Sequence, residues 1–334
     1  HTKAGKALAD KLIRTIRSED SGRLVTFACC HTGNDISNER TDIVSFNTYP
    51  GWYGTSAYEM TFRIDRHLKS NGCPITAIGE YGSGASVHHH ENPLADHKRH
   101  DSPFHPEEMQ TSIHRIEYDC IRKHDRLWGT FIWAMFDFAS DNRCEGDHKG
   151  VNDKGLVTRN RGVKKDVFHF YRTNWTKTPQ LHLCSKRLGE TTNAVFEVLA
   201  FCNAGRPVTL MVDGRRIAER MPDEVCVVSF GAVPLREGPN AVRLSCGDLA
   251  DEAVVVRRRS VRTASATLVD FRERGAACRL MGGTFADPAK EPRQIEVGEK
   301  GVTFWFDSAR EARAGNMWAT VALPKDVHAL DDWF

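Results

Sequence analysis

Apolar residues along the first half of the chain follow two alternating rhythms. In "KALADKLIRTIRSE", Leu8, Leu12, Ile13 and Ile16 fall on one stripe of a helix. "RLVTFA" then reads as a short buried strand, and "DIVSFNTYPGWYG" as a second strand. "EMTFRIDRHLKSNG" predicts a second helix closed by Gly72, and "PITAIGE" a third strand. "PEEMQTSIHRIEYDCIRKH" predicts a third helix, "LWGTFIWAMFDFA" a fourth strand, and residues 163–175 one more helix. Buried strands alternating with helices call for a parallel sheet with helices packed on it.

After about residue 177 the texture changes. "AVFEVLAFCNAG", "PVTLMVDGRRIAERM", "VCVVSFGAVPL", "NAVRLSC" and "EAVVVRRRSV" are short β-branched runs separated by Gly, Pro, Asn and Asp. The Asp-Gly pair in "VDGRRI" is a hairpin signal. An antiparallel sandwich of immunoglobulin-like size is expected over residues 178–262, and a second, incomplete all-β unit over 263–334. The fold class is therefore α/β over residues 1–177 followed by all-β.

Charge narrows the function little. Lys plus Arg number 46 against 44 Asp plus Glu, so no global charge argues for nucleic acid or an anionic membrane. The run "RRIAER…RRRSVR" lacks interleaved aromatics and reads as a solvated strand face. No apolar run approaches the roughly 20 residues a membrane span needs. None of the ten cysteines forms a CxxC pair, so zinc-ribbon and thioredoxin-type sites are not expected, and several, in apolar strand-like runs, read as small buried hydrophobes. The chain opens at His1 without a Met, signal or transit pattern, which places the natural N-terminus elsewhere.

Chemistry in parallel α/β folds gathers where strands end. The second strand ends with Asn47, Tyr49, Trp52 and Tyr53, the third with Glu80 and Tyr81, the fourth with Trp133, Phe136, Asp137 and Asp141. A carboxylate closing an apolar strand and opening into "YGSGA" is either simply solvated or held at a pocket mouth. Aromatic faces beside carboxylates and amides suit a sugar, whose C–H face stacks on rings while polar groups read its hydroxyls.

"DIVSFNTYPGWYG", "CPITAIGEYGSGAS" and "LWGTFIWAMFDFASDNRCEGDHKGVNDKGLVTRNRGVKKDVFHFYRTNW" resemble glycoside hydrolase family 2, and within it the bacterial β-galactosidases that carry extra immunoglobulin-like domains. The resemblance covers residues 1–180 closely and 180–260 more loosely. It implies the second half of a (β/α)8 barrel and a retaining mechanism with Glu80 as nucleophile. It further implies that Tyr49 donates to Glu80, Asn47 contacts a hydroxyl, and Trp133 floors the sugar subsite. Asp137 is carried over as a further substrate contact. No cofactor or metal is implied, and the partners are a carbohydrate substrate, the missing N-terminal part of the same enzyme and, as an option, a second subunit. The compartment stays open between bacterial periplasm and cytoplasm.

A retaining mechanism needs a second carboxyl about 5–5.5 Å from the nucleophile. In this family it belongs to an Asn-Glu pair on a strand that would precede His1. Asp35, in "HTGNDISNER", mimics that pair but follows the wrong strand. The chain alone is therefore expected not to complete the reaction, and half a barrel leaves apolar surface beside residues 24–28 and 127–137. Asn152 and Lys154 form an Asn-x-Lys arrangement similar to one that binds the sugar carboxylate in related β-glucuronidases. β-Glucuronidase is accordingly the rival to β-galactosidase, and a non-catalytic carbohydrate-binding protein is the rival from outside enzymes. His88, His89 and His90 are expected to line the sugar subsite, since three consecutive residues cannot face one ion, and His100 and His105 to sit in a solvated loop.

Overall fold

The computed structural model describes residues 2–30, 41–54, 56–70, 75–95, 97, 100–259, 279–281, 295–298, 301–304 and 320–322. Asp35 and Gly72 lie outside these described residues. The chain divides into two compact units, His1–Arg259 and Ser260–Phe334.

The first unit begins with helix α1 (Lys3–Glu19), capped by the Thr2 hydroxyl, which accepts from Gly5 N–H. Strands β1 (Ala28–Cys29), β2 (Val44–Asn47), β3 (Thr76–Tyr81) and β4 (Leu127–Ile132) form one sheet in sequential order, every pair parallel. Helices α2 (Met60–Ser70) and α3 (Glu107–Ile121) make the crossovers, and α4 (Asp166–Trp175) follows β4. Phe46 and Ile78 from the sheet pack against Met60 and Ile64 of α2, Cys120 and Ile121 of α3, and Phe170 and Tyr171 of α4. That helix-covered face is the core; the opposite face carries Ala28, Ser45 and Asn47 around Gly79.

Two expectations need correction. Of "RLVTFA" only Ala28 pairs as a strand, together with the following Cys29, because Val25 instead fixes the chain through its carbonyl, which accepts from Asp42 and Ile43 N–H. The stripe of α1 is not covered as a whole: Ile13 is buried, whereas Leu8, Leu12 and Ile16 lie exposed. Apolar surface is also open at Leu24 and along β4 and its continuation, at Trp128, Phe131, Trp133 and Met135, as anticipated for the two sheet edges.

Strands β5 (Phe138–Ala139) and β6 (Val151–Asn152) pair as a short antiparallel ribbon beyond β4. The β-sandwich follows. Strands β7 (Leu181–Leu183), β9 (Val195–Cys202) and β12 (Val227–Pro234) form one sheet. Strands β8 (Glu190–Thr191), β10 (Val208–Val212), β11 (Arg215–Arg220), β13 (Gly238–Cys246) and β14 (Leu249–Arg257) form the other. Phe196, Val198 and Ala200 of the first sheet interleave with Leu210, Val242 and Leu244 of the second. The β10–β11 hairpin turns at Asp213 (φ 50°) and Gly214 (φ 76°), the two positive values a type I′ turn requires.

Sandwich and α/β layers share one core, since Phe201, Val225 and Val227 join the cluster that holds Phe170 and Tyr171. A buried ionic seam adds to it. Arg187 Nε donates to Glu107 Oε2 at 2.8 Å and its Nη2 reaches Asp166 Oδ1 at 3.2 Å, while His182 Nε2 meets the same Asp166 oxygen at 2.9 Å. Two carboxylates this close are tolerable in a core only because the guanidinium sits between them. This shared seam is why residues 178–259 belong to one compact unit with the α/β layer.

In the second unit β15 (Arg279–Met281) pairs with β18 (Thr320–Ala322), and β16 (Ile295–Gly298) with β17 (Gly301–Phe304), both antiparallel. The run "ATLVDFRE" lies outside the described residues. No helix among the described residues is long and apolar enough to cross a membrane.

Candidate active site

The position of Glu80 depends on a bulge. Phe46 pairs with Ile78 and Asn47 with Glu80, so β3 advances two residues while β2 advances one. The extra residue is Gly79, where a Cβ would stand 2.8 Å from Asn47 Oδ1 and 2.9 Å from Ser45 Oγ. Strict alternation would send Glu80 to the helix-covered face. The bulge instead returns it to the face of Asn47 and leaves the next residue, Tyr81, fully buried beneath the helices.

Glu80 Oε2 there accepts a 2.6 Å hydrogen bond from the Tyr49 hydroxyl. Burial first, and then the facing Glu80 carboxylate, push the Tyr49 phenol far above the ordinary tyrosine range. It therefore remains a donor at any working pH. Asn47 Oδ1 is buried on the same side and accepts no hydrogen bond from the described residues. Trp133, 36% exposed, stands beside this strand end: its backbone N–H donates to Tyr81 O, and its ring meets Phe138 edge-on at 5.6 Å.

Lys154 approaches Tyr49 from the β6 side. Its Nζ lies 5.9, 4.9 and 5.4 Å from the ring centres of Tyr49, Trp52 and Tyr53. The side chain is 1% exposed, and burial is the main cause that lowers its ammonium from the usual lysine value. Asn152 closes the Asn-x-Lys turn, its Oδ1 accepting from Lys154 N–H at 3.1 Å. Tyr53 completes the group. Burial alone would raise its phenol, but Lys154 and then Arg143, whose Nη2 is 3.4 Å from the Tyr53 oxygen, outweigh it and hold it below the usual value.

Asp137 is placed differently from the other strand-end residues. Its Oδ1 accepts from Gly155 N–H and from Lys165 Nζ, both at 2.8 Å, so at least this oxygen is committed to the fold. Lys165 is fully buried and also donates to Ala85 O and Asp153 O, tying the loop after Glu80 to the loop bearing Lys154. His105 is not in a solvated loop: it is fully buried, 2.6 Å from Asp153 Oδ2, because Trp52 and the Asp153 carboxylate enclose it. Burial would raise Asp153, yet His105, Lys165 and Lys154 together keep it below the usual aspartate value. The three consecutive histidines diverge. His90 turns to Glu108 and Val87 O, His89 Nδ1 accepts from His105 N–H, and His88 faces outward.

Behind Glu80, His114 fixes the strand exit. Ser83 N–H donates to its Nε2 at 3.1 Å, so Nδ1 carries the proton toward the Tyr171 oxygen 2.9 Å away. A second proton would abolish the acceptor, and complete burial lowers this histidine to about 3. An unfolded histidine protonates near 6.5, so the unfolded chain takes up a proton that the folded one refuses between pH 6.5 and about 3. Stability is complete above that window and falls as pH drops through it. Urea unfolding at pH 7 and pH 5 is expected to differ by about 2 kcal/mol more in the parent than in His114→Gln.

Sequence reasoning missed Lys165, the His105–Asp153 pair and Arg143. Only the Gly79 bulge left a trace, as a lone glycine inside an apolar strand.

No protein-family model matches the chain. A β-glucuronidase of Bacteroides fragilis is 35% identical over 243 residues, which make up 72% of this chain and 34% of that protein. Among solved structures, an "FMN-binding beta-glucuronidase from Facaelibacterium prausnitzii L2-6" aligns with a TM-score of 0.66 and 26% identity over 78% of this chain and 39% of its own. A "putative beta-galactosidase from bacteroides fragilis" aligns with a TM-score of 0.66 and 25% identity, over 78% and 40%. The chain thus spans about a third of the length of the B. fragilis β-glucuronidase (34%). Its homologues and structural neighbours are glycoside hydrolases of the β-glucuronidase and β-galactosidase kind.

Proposed function

We propose that this chain is the nucleophile-bearing part of a retaining β-glucuronidase of glycoside hydrolase family 2. In this reading β1–β4 are the second half of its (β/α)8 barrel and the sandwich is its immunoglobulin-like neighbour. The observation that carries the substrate is Lys154: a buried cation in an aromatic box, 5.9 Å from the ring of the Tyr49 that bonds Glu80. A uronate carboxylate would pair with it, whereas the C6 hydroxyl of a galactoside would leave a buried charge uncompensated. This moves the reading from β-galactosidase to β-glucuronidase, and the 35% identical relative agrees.

In the first step a Glu80 oxygen forms a bond to the anomeric carbon as the bond to the aglycone oxygen breaks. The departing oxygen takes a proton from an acid/base carboxyl, supplied by a part of the same enzyme outside these residues. Water then attacks the glycosyl ester, gives its proton to that same group, and frees Glu80 with overall retention. Tyr49 holds Glu80 in line and takes up charge as the ester breaks. Trp133 offers a ring to the sugar face, and the free acceptor of Asn47 suits a sugar hydroxyl.

The test compares p-nitrophenyl β-D-glucuronide with the matching galactoside, using the full-length enzyme that contains this chain. The glucuronide should lead in kcat/KM by about a hundredfold or more; parity or a galactoside preference contradicts the assignment. In the same assay Tyr49→Phe should lower kcat about ten- to a hundredfold, the worth of a hydrogen bond to a charged group, with little change in KM.

A further inference from the structure

We propose that His88, Asp147 and His148 form a binding site for one divalent transition-metal ion of the zinc class, bridging the loop that follows β3 and the loop between β5 and β6. One ligand atom from each, two imidazole nitrogens and a carboxylate oxygen, lie within 4.8 Å of one another. Ions of this class hold nitrogen and oxygen at about 2.0–2.2 Å, so in a tetrahedral shell two ligands of one ion stand about 3.4 Å apart. His88 is exposed and the His148 side chain is 66% exposed against 20% for Asp147, so the two rings have room to turn toward a carboxylate that is held in place.

The carboxylate between the rings is already aimed. Ser86 Oγ donates to Asp147 Oδ2 at 2.5 Å and itself accepts from His88 N–H at 3.0 Å. One hydroxyl thereby sets the positions of two ligands from different loops, the outer-layer support that metal-binding carboxylates commonly have. Backbone bonds brace both sides: Ser86 N–H to His105 O, and Gly146 N–H to Ser102 O, each at 2.9 Å. His89 and His90 are engaged elsewhere, so the site draws one histidine from the triplet and its second from the other loop.

Two imidazoles with one carboxylate favour zinc, copper or nickel over magnesium or calcium, which prefer all-oxygen shells. Three protein ligands leave the remaining positions to water. A rival cluster, Asp166, His182 and Cys184, is buried at the sandwich seam. There Asp166 is already committed to His182, to Ser185 N–H and to the Arg187 guanidinium, whose charge would repel an ion. An ion at His88–Asp147–His148 would instead fasten the loop carrying Asn152 and Lys154 to the loop leaving Glu80.

The test is calorimetric titration of zinc chloride into the full-length enzyme that contains this chain, after chelator treatment and chelator removal, in parallel with H88A, H148A, D147N and C184S. Circular dichroism establishes that each variant keeps the parent fold. One ion per chain is expected, weakened about tenfold or more by each of the first three changes and unaltered by C184S. Calcium chloride should not compete. The proposal is overturned if zinc does not bind, if H88A and H148A bind like the parent, or if C184S is the variant that loses the ion.

Discussion

Replacing Glu80 with alanine lowers turnover of an aryl β-glucuronide on the order of 10⁴- to 10⁶-fold, the usual scale for deleting a nucleophile. The reason is geometric as well as chemical. Gly79 inserts the extra residue that turns the carboxylate toward the Asn47 face, and Tyr49 holds one of its oxygens at 2.6 Å. Alanine leaves a hole of carboxylate size in front of the anomeric carbon. A small anion such as azide fits that hole and should restore part of the rate on a substrate with an activated leaving group. Because azide attacks from the Glu80 side and no second displacement follows, the product should be the α-glucuronosyl azide. A β-azide product, or a Glu80→Ala enzyme with undiminished turnover, would remove Glu80 from the role.

Lys154→Ala should cost the glucuronide about 10²- to 10³-fold in kcat/KM, the range expected when a buried charge loses its partner. The galactoside, which has no carboxylate to pair, should lose little. The contrast between the two substrates separates the specific effect from simple damage to the pocket. Equal losses on both would mean that Lys154 supports the aromatic box rather than reading the sugar. Steady-state kinetics on the two aryl glycosides decides it.

How much of this was readable from sequence varies residue by residue. Glu80 stood out because an ionisable group at the end of an apolar run is costly to place without a reason, and Tyr49 because its motif accompanies it. The strands and helices of the α/β layer were legible because each carries its own periodicity. α1 shows the limit: its stripe is real, but periodicity says only that a helix has an apolar face, not what covers it.

Lys154 was visible as a motif, and only the fold shows that its ammonium lies among three rings. Lys165 and the His105–Asp153 pair were not legible. Their partners are separated in sequence by as many as 80 residues, and nothing local distinguishes a buried lysine from a solvated one. His105 looked solvated because its neighbours in "HKRHDSPFH" are charged; its burial comes from Trp52 and Asp153, which the chain brings in from both sides.

The most direct measurement is to treat the full-length enzyme with 2-deoxy-2-fluoro-β-D-glucuronosyl fluoride, digest it, and locate the label by mass spectrometry. The 2-fluorine slows both steps while the fluoride leaving group rescues only the first, so the glycosyl ester accumulates. The account predicts a single ester on the peptide containing "AIGEYGSGA", at Glu80. An ester on any other carboxylate, or occupancy of the site with the protein's mass unchanged, would contradict it.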